Sequence, residues 1–101
     1  MGRRLFVLTD LEDRALAACD DQHLAVRSAQ IILGSWFDCE ISTREMRQIY
    51  RKLADLGLLH SYVMRRGRAV RSPFLGCRTM ALFVRATSKG RDYLTWPRRV
   101  I

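Results

Sequence analysis

The sequence predicts one small α+β domain, mainly helical with a single β-hairpin, and three observations predict it. The stretch from Ser42 to Gly57 carries a strong helical period between a start signal and a stop signal. Two runs of β-formers follow, at about 60 to 65 and 80 to 86, and bracket an arginine-rich loop. Two weaker helical segments precede this unit and a third closes the chain. With 101 residues the chain makes a single domain, 1 to 101, with a modest core.

Residues 1 to 9 read as a short strand or extended arm, with Phe6 and Leu8 available for packing. A basic start and the apolar run Leu5-Phe6-Val7-Leu8 mimic a signal peptide. The run is too short, and Asp10, Glu12 and Asp13 follow at once. No apolar run approaches the roughly 20 residues that span a bilayer. The expected location is the cytoplasm.

Thr9 and Glu12 form a capping box that opens a helix running to about Asp20. Asp20-Asp21-Gln22 breaks it. A second helical pattern covers about 24 to 33 and is closed by Gly34. Residues 35 to 41 then form a longer turn carrying Trp36 and Phe37. They read as a local plug beneath that turn, the alternative being an exposed aromatic contact for a partner protein.

The third helix opens on a capping box of Ser42 and Glu45 and stops at Gly57. Met46, Ile49, Tyr50, Leu53, Ala54 and Leu56 share one face. Arg44, Arg47, Gln48, Arg51 and Asp55 share the other, with Glu45 and Lys52 at its edge. The hairpin spans 60 to 86. Its loop, 66 to 79, holds or adjoins Arg65, Arg66, Arg68, Arg71 and Arg78, with no acid between Asp55 and Asp92. Like charges at that density repel, so the loop is expected to be mobile until a polyanion orders it. A last helix runs from 88 to about Thr95. Trp96-Pro97 ends it, and a basic tail completes the segment 88 to 101.

The net charge of +8 is unevenly placed. Residues 1 to 41 hold four arginines against seven acids, a net of −3. Residues 42 to 78 hold nine basic residues against two acids, a net of +7, and residues 79 to 101 a net of +4. Positive charge gathered on one helix, the hairpin and the tail is the footprint of a polyanion ligand. Sixteen of the eighteen basic residues are arginine, whose planar fork suits phosphates and guanine edges better than lysine does.

Cys19, Cys39 and Cys77 are widely spaced and, with His23 and His60, show no metal-ligand pattern. They read as reduced thiols with Cys19 in the core, and Cys39 or Cys77 as the alternative sites of a redox switch. There is no Gly-rich phosphate loop, nucleophile elbow or His-Glu-x-x-His, so neither an enzyme nor a cofactor or metal site is expected.

The capped helix, its Leu56-Gly57-Leu58-Leu59 exit and the basic hairpin together resemble the recognition helix and wing of winged helix-turn-helix DNA-binding proteins. Phe83-Val84-Arg85-Ala86-Thr87-Ser88-Lys89-Gly90-Arg91-Asp92-Tyr93-Leu94 is similar to the end of the wing and the next helix in MarR- and PadR-type regulators. The likeness covers roughly residues 10 to 95. Ser28 to Gly34 resembles the first helix of the helix-turn-helix, which crosses the DNA backbone. The chain departs from the family in the length of the turn after Gly34.

The resemblance implies a sequence-specific regulator of transcription on double-stranded DNA, a repressor more than an activator, working as a homodimer. Helix 42 to 57 enters the major groove, and Arg44, Arg47, Gln48 and Arg51 meet base edges. Ser42, Thr43, Lys52, Arg65, Arg66, Arg68, Arg71 and Arg78 hold phosphates or reach the minor groove. Leu5, Phe6, Leu8, Tyr93, Leu94 and Trp96 are the candidate dimer contacts, or else cover the core of one chain. The alternatives are an interaction or replication module that uses the same fold without reading an operator, and a sequence-nonspecific nucleic-acid binder, among them an RNA or single-strand binder with Phe37, Tyr62 and Phe74 available for stacking.

Overall fold

The computed structural model describes residues 8–73 and 81–95. Leu5, Phe6, Phe74, Cys77, Arg78 and Trp96 lie outside them. Helix α1, Asp10–Ala18, begins as its capping box requires. Thr9 Oγ1 accepts from the Glu12 amide at 3.2 Å, and Glu12 Oε1 accepts from the Thr9 amide at 3.0 Å. Strand β1, Leu24–Ala25, runs into helix α2, Val26–Phe37. After a turn come helix α3, Thr43–Asp55, strands β2, Leu59–Arg65, β3, Arg68–Arg71, and β4, Phe83–Ala86, then helix α4, Ser88–Thr95. Among the described residues no helix is long and apolar enough to cross a membrane.

Two boundaries differ from the sequence expectation. The helical pattern at 24 to 33 starts two residues later, because Leu24 and Ala25 pair with Val84 and Phe83 of β4. It also runs through Gly34 to Phe37. Asp38 closes it in the left-handed conformation (φ 50°), which a short polar side chain tolerates. The Cys39 amide then donates to the Gly34 carbonyl at 3.1 Å. The turn before α3 therefore shrinks to 38 to 42, and the aromatic pair rides on the last turn of α2.

Within the expected loop, residues 66 to 71 form a tight turn and a strand. Arg66 and Gly67 both take positive φ (51° and 79°), the two-residue turn whose twist suits a tight hairpin. Val63 and Met64 then face Val70 and Ala69 across β2 and β3, and those apolar pairs offset the Arg65–Arg68 juxtaposition at the tip. The second strand expected from about 80 is β4, beginning at Phe83. It pairs with the other edge of β2, so the antiparallel sheet has the order β1-β4-β2-β3.

One core joins these layers. Leu16, Val26, Leu33, Met46, Tyr50, Leu53, Leu59 and Val84 are all buried, and the sheet contributes the alternate side chains Leu59, Ser61, Val84 and Ala86. The Tyr50 hydroxyl donates to the Ala15 carbonyl at 2.9 Å, which fixes α3 against α1 without leaving a buried polar group unpaired.

Lys52 of α3 meets Glu12 of α1 at 3.0 Å. Burial acts to raise the Glu12 carboxyl. The Thr9 amide and the Lys52 ammonium outweigh it and hold the group below its ordinary value. A lowered carboxylate pKa adds stability that is present above the unfolded value and is lost as the pH falls through the folded one. Glu12→Gln keeps the cap but not the charge. It is expected to lower the unfolding free energy read from urea denaturation at pH 7 by at most about 1 kcal/mol, because Lys52 is half exposed. Well below pH 4 it should match the parent. An equal loss at both pH values would refute the ion-pair account.

Candidate nucleic-acid interface

Helix α3 is held at both ends and along its buried face. At the N-terminus Ser42 Oγ accepts from the Glu45 amide at 3.0 Å, the first half of the expected capping box. Gln30 of α2 donates to the Ile41 carbonyl at 2.6 Å and fixes the turn leading in. At the C-terminus the Gly57 and Leu58 amides return to Ala54 and Leu53, both at 3.0 Å, as a Schellman closure does. Thr87 Oγ1 donates to the Gly57 carbonyl at 2.8 Å, and Lys89 Nζ to the Leu56 carbonyl at 3.0 Å. That ammonium also lies at the negative end of the helix dipole.

With Met46, Ile49, Tyr50 and Leu53 buried, the opposite face is fixed by geometry. Arg44, Gln48 and Arg51 are exposed and Arg47 is half-exposed, so all four base-contact candidates share one open face. Thr43 is exposed beside them, while Ser42 spends its hydroxyl on the cap. Lys52 is already paired with Glu12, so it reaches a phosphate only by giving up that contact. Arg65, Arg66, Arg68 and Arg71 are exposed on the hairpin.

The helix face and the hairpin are not separate surfaces. Arg51 and Asp55 of α3 and His60, Arg71 and Pro73 of the hairpin side line a shared groove of about 520 Å³. Its inner wall is Ala54, Leu59 and Ser61, and the Ser61 hydroxyl is satisfied by the Ser72 carbonyl. Burial first, and the Arg71 guanidinium second, hold the His60 imidazole below its ordinary value. Sequence reasoning did not bring His60 and Asp55 into the site, because the groove exists only in the register of β2 on β3. Alternation along β2 from the apolar Leu59 was the one available signal.

The other candidates fall elsewhere. Leu8 and Tyr93 are buried within one chain, the Leu8 amide donating to the Tyr93 hydroxyl at 3.2 Å, and Leu94 packs against the same core. Trp36 is 52% and Phe37 37% exposed, so the pair is no plug. The end of α2 carries both outward, with the Arg14 guanidinium 5.3 Å from the Trp36 ring centre. Tyr62 is half-buried with His23 edge-on at 4.6 Å, a poor platform for an unstacked base.

Cys19 is fully buried, and burial pushes its thiol up to about 12, while Cys39 is exposed. A thiol with that pKa stays protonated and unreactive near neutral pH. Among the described residues no group of His, Cys, Asp and Glu could hold a metal ion. In comparisons with known proteins no family model matches the chain, and neither a curated protein nor a solved structure matches it.

Proposed function

We propose that the protein is a winged helix-turn-helix regulator that reads double-stranded DNA with the exposed face of α3 and grips its backbone with the β2–β3 hairpin. The observation that carries this reading is the shared groove. It joins Arg51 of α3 to Arg71 of β3, so the open helix face that carries Arg44, Arg47, Gln48 and Arg51 adjoins the basic hairpin. The element order supports it too. A short strand precedes α2, a five-residue turn joins α2 to α3, and β1 and β2 flank β4. Two donors of a guanidinium match the O6 and N7 of guanine, and the Gln48 amide matches adenine.

Helix and hairpin should fail differently when mutated. A preferred site is first selected from a randomised duplex pool. Arg47→Ala or Arg51→Ala is then expected to cost about 1 to 3 kcal/mol on that site and much less on random DNA. Arg66→Ala or Arg68→Ala should weaken both more evenly and reduce the salt slope by about one unit each. All four side chains lie away from the core, so circular dichroism should be unchanged. If both classes lower both affinities by one factor, α3 is not a reader and the protein is a sequence-blind binder.

The reading includes repression by a pair of chains on a two-fold site. Sedimentation at micromolar concentration is expected to give a dimer. A monomer would remove this part of the proposal and turn attention to Trp36 and Phe37 as the contact for a different protein.

A further inference from the structure

Apart from Ile31, the large apolar side chains left exposed among the described residues lie in two places, the end of α2 and the hairpin. At the end of α2 the open rings of Trp36 and Phe37 are followed by the exposed carboxylates of Asp38 and Glu40. The Arg14 guanidinium steadies the Trp36 ring from the α1 side, so little side-chain freedom is left to lose on docking. On the hairpin Val70 is 43% exposed. Strand β4 pairs with β2 only as far as Tyr62, so from Val63 to Val70 the hairpin is a two-stranded ribbon that projects past the sheet. Register and alternation put Val63, Val70, Arg65 and Arg68 on one face of that ribbon, and Met64 and Ala69 on the other. Arg65 stands directly opposite Arg68, a like-charge pair that an acidic partner relieves.

We propose that the two places fit each other between copies of this chain. The Val63 and Val70 face of one hairpin lies on Trp36 and Phe37 of a second chain, with Arg65 and Arg68 beside its Asp38 and Glu40. Charge favours a second copy as the occupant. Residues 1 to 41 carry a net of −3 and residues 42 to 78 a net of +7, so the α2 end of one copy attracts the hairpin of another, whereas like ends repel.

The contact is heterologous. Each chain offers one aromatic patch and one hairpin, so the contact recurs from chain to chain instead of closing a pair on itself. It is separate from the two-fold pairing and does not rest on DNA reading. One ribbon face on two rings is far smaller than the roughly 1,200–2,000 Å² of a stable interface, so the contact is weak.

The test leaves one half of the contact on each of two variants. Arg65→Glu/Arg68→Glu retains the aromatic patch and exchanges one like-charged pair for another. Trp36→Ala retains the hairpin. Both change exposed side chains, and circular dichroism checks that both fold. The first variant is isotope-labelled and held at a concentration on the order of 100 μM, as a weak interface requires. Its Trp36 indole N–H resonance is expected to stay fixed as its own concentration rises, and to move when the unlabelled Trp36→Ala chain is added. Raising the salt from about 50 to about 500 mM should weaken that titration several-fold. Adding Val70→Ser to the Trp36→Ala chain should weaken it about five-fold or more, and adding Met64→Ser, on the opposite face, less than two-fold. A Trp36 resonance that ignores the Trp36→Ala chain would overturn the contact and leave the aromatic pair to a different protein. So would an equal response to a Trp36→Ala chain that also carries Arg65→Glu/Arg68→Glu. Equal losses from Val70→Ser and Met64→Ser would overturn the docked face.

Discussion

Raising the salt from 50 to 200 mM is expected to cost this protein about sixty-fold in duplex affinity per bound chain. Lys52 is engaged by Glu12, which leaves the guanidinium groups of the α3 face and of Arg65, Arg66, Arg68 and Arg71. If roughly three to four of these neutralise phosphates, log affinity falls with log salt at a slope of about −3 per chain, and about −6 for a site holding two. Fluorescence anisotropy across that salt range reads the slope directly. A slope near zero on duplex DNA would remove the electrostatic basis of the proposed function. Tighter binding to single strands than to duplex would favour the single-strand alternative, against the edge-on packing of Tyr62 by His23.

What the sequence made legible was local. Helix α3 was readable to within two residues because both its ends are written in nearby side chains, the Ser42 hydroxyl and the left-handed Gly57 (φ 78°). The two-sided pattern between them was equally local, and it placed Arg44, Arg47, Gln48 and Arg51 together. The misreadings share a cause, which is a distant or unusual partner. Gly34 looks like a helix stop, yet the stop is Asp38, because a glycine inside α2 lets the chain approach closely. A Cβ on Gly34 would lie 3.0 Å from the Cys39 carbonyl oxygen. Strand β1 is two residues long and exists only through its pairing with β4, almost sixty residues away. The Arg66–Gly67 turn puts an arginine at positive φ, where Asn or Asp is the usual sign. The groove depends on the register of β2 on β3 that this turn sets and on where α3 lies beside it, so no single stretch of sequence announces it.

Gly90→Ala is expected to be the most damaging small substitution for the fold, although alanine is normally the better helix residue by about 1 kcal/mol. Gly90 is buried in α4 where that helix crosses the chain leaving α3. A Cβ there would stand 2.0 Å from the Leu58 carbonyl oxygen, 3.0 Å from its carbon and 3.4 Å from the Ala86 Cβ. Two of these neighbours are backbone, which cannot swing aside as a long side chain does. The Leu58 oxygen is already committed, accepting from the Thr87 amide at 3.0 Å, and Thr87 in turn caps α4 through the Gly90 amide at 3.1 Å. Relief therefore requires α4 to back away from the end of α3, breaking the bonds from Thr87 and Lys89 that hold that end. Overpacking of this kind costs about 3 kcal/mol or more, a large share of the roughly 5–15 kcal/mol that holds a domain together. Thermal unfolding should move down by more than about 10 °C. Two other glycines serve as controls. Gly67→Ala has open space and carries only the strain of its positive φ, about 1 to 2 kcal/mol. Gly34→Ala meets one backbone oxygen at 3.0 Å, a contact relieved by a shift of a few tenths of an ångström, and should cost less than Gly90→Ala. If Gly90→Ala unfolds no earlier than either control, α4 does not rest on Leu58 as described, and the C-terminal anchor of the proposed reading helix is wrong.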